Sequence, residues 1–107
     1  MSCDHVQKIL SDMRYAIDNK KFYPIDRDKN LNTLALLGIS WGAVKEEIYN
    51  LKEEDYICGP SVDRKDPSSD FFWIFKKKID ENLIYVKFKV LYQEDGGVRV
   101  VSFHIDE

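Results

Sequence analysis

Between Phe71 and His104 the chain reads FFWIFKKKIDENLIYVKFKVLYQEDGGVRVVSFH, three runs of aromatic and β-branched residues separated by Asp80-Glu81-Asn82 and by a break that holds Gly96-Gly97. Runs of this kind bounded by turn formers predict a three-stranded antiparallel meander. The middle run alternates strictly. Ile84, Val86, Phe88 and Val90 fall on one face and Tyr85, Lys87 and Lys89 on the other. The apolar set must be buried, so the second set forms a cationic stripe with an aromatic ring at its end. In the last run Val100, Ser102 and His104 share one parity and Val101, Phe103 and Ile105 the other. With Phe103 in the core, Ser102 and His104 join the stripe. The first run is apolar on both sides until Lys76-Lys77-Lys78, as suits an inner strand, and Trp73, Phe75 and Lys77 make one row.

The chain before the meander is patterned mainly for helices. Val6, Ile9, Leu10, Met13 and Ile17 follow the i, i+3, i+4 spacing of one helical face over residues 4–19. Ser2 or Asp4 suits the N-cap, and Lys20 and Lys21 follow the negative pole. Phe22-Tyr23-Pro24-Ile25 reads as a short extended piece fit for a sheet edge, because Pro24 has no N–H for a central ladder. Asp26-Arg27-Asp28-Lys29-Asn30 imitates the start of a calcium loop. Leu31, however, stands where that loop needs Gly, and Leu37 where it needs a bidentate Glu. Residues 30–37 predict a short helix ended by Gly38, and Ser40 caps another from Trp41 to about Leu51, the two forming a helical hairpin. Residues 56–70, rich in Pro, Ser, Asp and Gly, read as one long loop. Loops of that length tend to be functional or mobile.

These elements predict one α+β domain over residues 1–107, with N-terminal helices on one face of a small antiparallel sheet. A chain of 107 residues can build one modest core, and 44% hydrophobic with 33% charged residues is ordinary for a folded domain. No apolar run is long enough for a membrane span or a leader, so the expectation is a cytoplasmic protein with no membrane partner and with Cys3 and Cys58 as reduced thiols. A net charge of −3 makes any contact with RNA a local one.

A face carrying Tyr85, Lys87, Ser102 and His104 suits phosphodiester cleavage without a metal. That chemistry needs a base for the ribose 2′-OH proton, an acid for the leaving 5′-oxygen, and cations for the charge that builds on phosphorus. His104 and Tyr85 are the candidates for proton transfer, and Lys77 and Lys87 for the charge. Ser102 and Trp73 are candidate substrate contacts, although a Trp at that position is more often a core residue. Arg64 either meets a phosphate or pairs with Asp63 or Asp66. Lys76, Lys78 and Lys89 read as solvated charge. Neither His nor Asp/Glu recurs on this face at ligand spacing, so no metal or other cofactor is expected.

Several stretches resemble the MqsR family of bacterial type II toxins, mRNA interferases related to the RelE fold. They are Asp55-Tyr56 with Gly59-Pro60 and Asp63-Arg64, then Trp73-Ile74-Phe75 with Lys77 and Ile79, then Ile84-Tyr85-Val86-Lys87, and Val101-Ser102-Phe103-His104. Leu37-Gly38-Ile39, opening a helix toward Leu51, fits the same pattern. The resemblance implies a ribosome-independent endoribonuclease acting on mRNA and inhibited by a cognate antitoxin, through which alone it would meet DNA. It places the family's strand tyrosine on Tyr85. The chain departs from the pattern in having His104 where a lysine follows the final Ser-Phe, Ile74 where a glutamine follows the tryptophan, and no lysine near Cys58. Two other readings compete with it. One is a non-catalytic protein-interaction domain using an exposed edge or the row Trp73/Phe75. The other is a module that stacks nucleic-acid bases without cutting.

Overall fold

The computed structural model describes residues 4–106, so Ser2 and Cys3 lie outside the described residues. The meander is present: β3 (Phe72–Ile79), β4 (Asn82–Val90) and β5 (Val98–Ile105) are antiparallel neighbours. It is the middle of a larger sheet. β1 (Phe22–Pro24) lies outside β5 and β2 (Tyr56–Ser61) outside β3, giving the order β1-β5-β4-β3-β2. β1 runs parallel to β5, so the sheet is mixed rather than purely antiparallel. Pro24 sits on an edge, where its missing donor costs no ladder bond.

β2 corrects the reading of residues 56–70 as one loop. Its six residues pair with β3 through two register shifts, one on each side of Cys58. Gly59, with φ 130°, lies so close to β3 that a Cβ there would stand 2.9 Å from the Phe72 carbonyl oxygen. Gly and Pro signal a turn locally. On a bulged edge strand they are tolerated, because the ladder is already interrupted.

Three helices cover one face: α1 (Asp4–Asp18), α2 (Asp28–Leu37) and α3 (Trp41–Tyr49). α1 buries Val6, Ile9, Leu10 and Met13, as their spacing requires. α2 ends at Gly38, in the left-handed region with φ 69°, whose N–H donates to the Ala35 carbonyl. The Ser40 hydroxyl then caps α3 by accepting the Ala43 N–H at 3.5 Å. The expected hairpin of α2 on α3 is not how the helices pack, since α3 lies against α1 while α2 lies along β5. Trp41 is half-buried at the border of the core and donates its indole N–H to Asp26 Oδ1 at 2.8 Å. Between the layers Phe75, Phe88 and Phe103 are fully buried, and the first two stack with centroids 5.5 Å apart. Each such ring contributes roughly 1.5–3 kcal/mol through burial.

The β4–β5 ladder holds the feature that decides which residues face outward. Lys87 pairs with Ser102, but Phe88 pairs with Val100, so Val101 is the extra residue of a bulge. Val100 and Phe103 therefore both reach the core, and strict alternation assigned Val100 and Val101 to the wrong sides. Asn30, fully buried on α2, closes this irregularity. Its amide donates to the Val101 and Ile25 carbonyls at 3.0 and 2.9 Å, and its Oδ1 accepts the Phe103 N–H at 3.0 Å. One turn on, Thr33 Oγ1 accepts the Ile105 N–H at 3.1 Å. Side chains of α2 thus continue the edge of β5 where β1 stops.

Candidate functional site

The sheet face turned away from the helices carries the candidate residues. On it the ladder sets Tyr85 opposite His104 and Lys87 opposite Ser102, so these four share a face as their strand parity demands. The Tyr85 and His104 rings stack at 5.3 Å between centroids and 16° between planes. His104 Nδ1 lies 3.1 Å from the Ile105 carbonyl oxygen. With the proton on Nδ1 that contact is a hydrogen bond, and Nε2 is left as the basic nitrogen. Burial pushes the Tyr85 phenol above its ordinary range; the nearby Cys58 and Asp106 add to this and Lys76 partly opposes it. Tyr85 is therefore a neutral hydrogen-bond donor at neutral pH, not a base.

Further along the same face, Lys87 and Lys89 hold their ammonium groups over the ring of Phe72, at 4.3 and 4.6 Å from its centroid. Lys89 is buried rather than solvated. It bonds Asp63 Oδ2 and Ser69 Oγ, each at 3.0 Å, and so ties the loop after β2 down onto the sheet. The Lys89 ammonium, helped by the backbone N–H groups of Lys65 and Asp66 and opposed by burial, holds the Asp63 carboxyl below its usual range. Lys76 is also paired, with Asp106 at 2.9 Å, whereas Lys78 is exposed as expected. Lys87 has no carboxylate partner among the described residues.

Two candidates do not belong to this face. Lys77 stands opposite Ile84 and Trp73 opposite Phe88, which places both on the helix side. Lys77 Nζ is held by α3, at 2.9 Å from Glu47 Oε1 and 3.2 Å from the Glu47 carbonyl oxygen. Trp73 is 9% exposed and packs in the core, where it borders an apolar cavity of about 490 Å³ near the start of α1. Strand parity thus removes Lys77 from any shared site with Tyr85 and withdraws Trp73, with Phe75, as a binding row.

Arg64 does reach the outer face. It is exposed and makes no ion pair with Asp63 or Asp66, and with Lys87 it lines a hollow of about 670 Å³. Phe72, Arg27 and Val101 also line this hollow, and residue spacing did not single them out. Phe72 shares parity with Ile74 and was legible in that way. Val101 depends on the bulge and Arg27 on where α2 docks, neither of which has a local signal.

Among the described residues no group of three or more His, Cys, Asp or Glu side chains converges as a metal site, and no helix is long and apolar enough to cross a membrane. The fold and site together define an α+β protein with helices on one side of a mixed five-stranded sheet and a cationic, partly aromatic surface on the other. No protein-family model, curated protein or solved structure matches this chain.

Proposed function

We propose that this protein is a metal-independent endoribonuclease that cleaves mRNA in the cytoplasm, the toxin of a type II toxin–antitoxin pair. Its sheet and helices would then be a version of the RelE-like fold of the family it resembles. The observation that carries this reading is the stacked Tyr85–His104 pair one strand step, ~7 Å, from an ammonium with no carboxylate partner among the described residues. His104 Nε2 takes the 2′-OH proton as the 2′-oxygen bonds to phosphorus. The bond from phosphorus to the 5′-oxygen breaks, and the neutral Tyr85 phenol donates to that oxygen. Lys87 stabilises the charge on the phosphoryl oxygens, and Ser102, 4% exposed, accepts a hydrogen bond from Arg27 at 3.4 Å rather than touching substrate. The products are a 2′,3′-cyclic phosphate and a 5′-OH. A cognate antitoxin would have to cover this face.

The test is incubation of purified protein with end-labelled RNA and a chelator. Wild type should leave cyclic-phosphate ends, and His104→Ala and Tyr85→Phe should each slow cleavage by about 10²-fold or more. RNA left intact by wild type would overturn the proposal. A non-catalytic interaction domain is the competing reading, favoured by exposed Ile57 on the edge strand β2 and exposed Val62 just after it. In that case His104→Ala changes nothing and Ile57→Asp abolishes partner capture.

A further inference from the structure

Resting on that reading of the outer face, we infer that the hollow beside Lys87 is a subsite for a nucleotide flanking the cleaved bond. Its phosphate meets Arg64 and Arg99, and its base lies on Ile25, Ile74 and Val101.

The charge of the hollow is the first argument. Arg27, Arg64, Lys65, Lys87, Lys89 and Arg99 line it against a single carboxylate among the described residues, Asp63, in a chain whose net charge is −3. These cations are not equivalent. Lys89 is spent on Asp63 and Ser69, and Arg27 leans on the bulge, 3.4 Å from the Val101 carbonyl oxygen and from Ser102 Oγ. Arg64 and Arg99 have no ion-pair partner among the described residues. Like charges gathered without counterions repel one another, so a site of this kind is stabilised by an arriving anion.

The floor is the second argument. Ile25, Ile74 and Val101 are half-buried aliphatic side chains between the arginines, and the bulge turns Val101 outward to complete them. An apolar floor that shares its lining with guanidinium groups suits the face of a base joined to a phosphate. A free inorganic anion would leave the floor uncovered. The volume, about 670 Å³, falls within the span of small-ligand sites. Lys87 borders the hollow and faces Ser102, so one strand can cross the hollow and reach Tyr85 and His104 without a turn.

The experiment measures binding of a fluorescein-labelled, mixed-sequence single-stranded RNA by anisotropy in a His104→Ala background, which slows cutting about 10²-fold or more. Arg64→Gln combined with Arg99→Gln should weaken binding about tenfold or more. It should also flatten the plot of log affinity against log salt by about 0.7, for the one phosphate no longer neutralised. Lys45→Gln, on α3 away from the hollow, should leave both unchanged. Adenosine monophosphate as competitor separates a strand site from a mononucleotide site, and it should displace RNA only at concentrations far above the RNA dissociation constant. Wild-type affinity and salt slope in the double-arginine variant would overturn the subsite, as would displacement by the mononucleotide at concentrations near that constant. If binding falls as expected while the protein with His104 intact leaves RNA uncut, the subsite stands as a single-strand binding site and the cleavage reading is lost.

Discussion

Lys77 and Lys87 lie on neighbouring strands of one sheet, and the fold uses them in opposite ways. Lys77 points toward α3, where the Glu47 carboxylate neutralises it and the Glu47 carbonyl oxygen accepts a hydrogen bond from its ammonium. Lys87 points to the open face, held over Phe72 with no carboxylate partner among the described residues. A cation on the helix side of a two-layer protein must be paired, because desolvation of a bare ammonium costs more than the layer can return. On the open face water supplies that solvation, and the charge remains available to a ligand. Two lysines of equal promise in sequence are thus divided by strand parity before any chemistry begins.

The largest test of this division is in the core. Phe75→Ala on the inner face should cost about 3–5 kcal/mol, read as a lowered urea midpoint. Ile74→Ala, its half-buried outer neighbour, should cost distinctly less, and equal losses would undo the contrast between the faces. His104→Ala should show the reverse balance, with cleavage slowed about 10²-fold or more and the urea midpoint moved by less than about 1 kcal/mol equivalent. Asn30→Ala probes the device that sets the outer face. It leaves the buried Phe103 N–H without its partner, removes the nearer of the two donors to the Val101 carbonyl, and should cost about 1–3 kcal/mol.

Smaller effects separate the two lysines themselves. Lys77→Met should change stability by under about 1 kcal/mol and leave RNA affinity intact, whereas Lys87→Met should lower affinity and flatten its salt dependence. The smallest effect is the pH response of the loop tied down by Lys89. Asp63 has a depressed folded-state pKa, so its contribution is present above its ordinary value near 3.8 and is lost as pH falls through the depressed value. Hydrogen exchange of residues 62–70 should accelerate over that acid window. If Lys89→Met leaves this profile unchanged, the tether is not what holds the loop. Tyr85 works in the other direction: its raised value keeps the phenol protonated past its ordinary value of 10.0, so in absorbance titrations of wild type and Tyr85→Phe the signal lost with the ring should lie above that value.

Much of the fold was legible because it rests on short-range patterns. The face of α1, the Ser40 cap, the Gly38 terminator and the alternation of β4 each follow from residues within one or two turns of one another. The edge strand β2 was hidden because Gly59 and Pro60 carry the local signature of a turn, and only pairing with β3 overrides it. The sides taken by Val100 and Val101 were hidden because a one-residue bulge reverses every parity beyond it. For the site, Tyr85, Lys87, Ser102 and His104 were correctly grouped on one face. Lys77 and Trp73 were grouped with them by residue type, and the β3–β4 register separates them.

Sequence alone was enough to specify which segments are helices and which are central strands, and that one sheet face would be basic, since propensity and periodicity act between residues close along the chain. Only the packed structure settled that α2 lies along β5 so that Asn30 can satisfy the bulge, that Lys89 is consumed by Asp63, and that Arg27, Arg64 and Arg99 meet around one hollow. Those contacts join residues far apart in the chain. Their partners are chosen by packing and by the need to satisfy buried polar groups, and no local pattern encodes either.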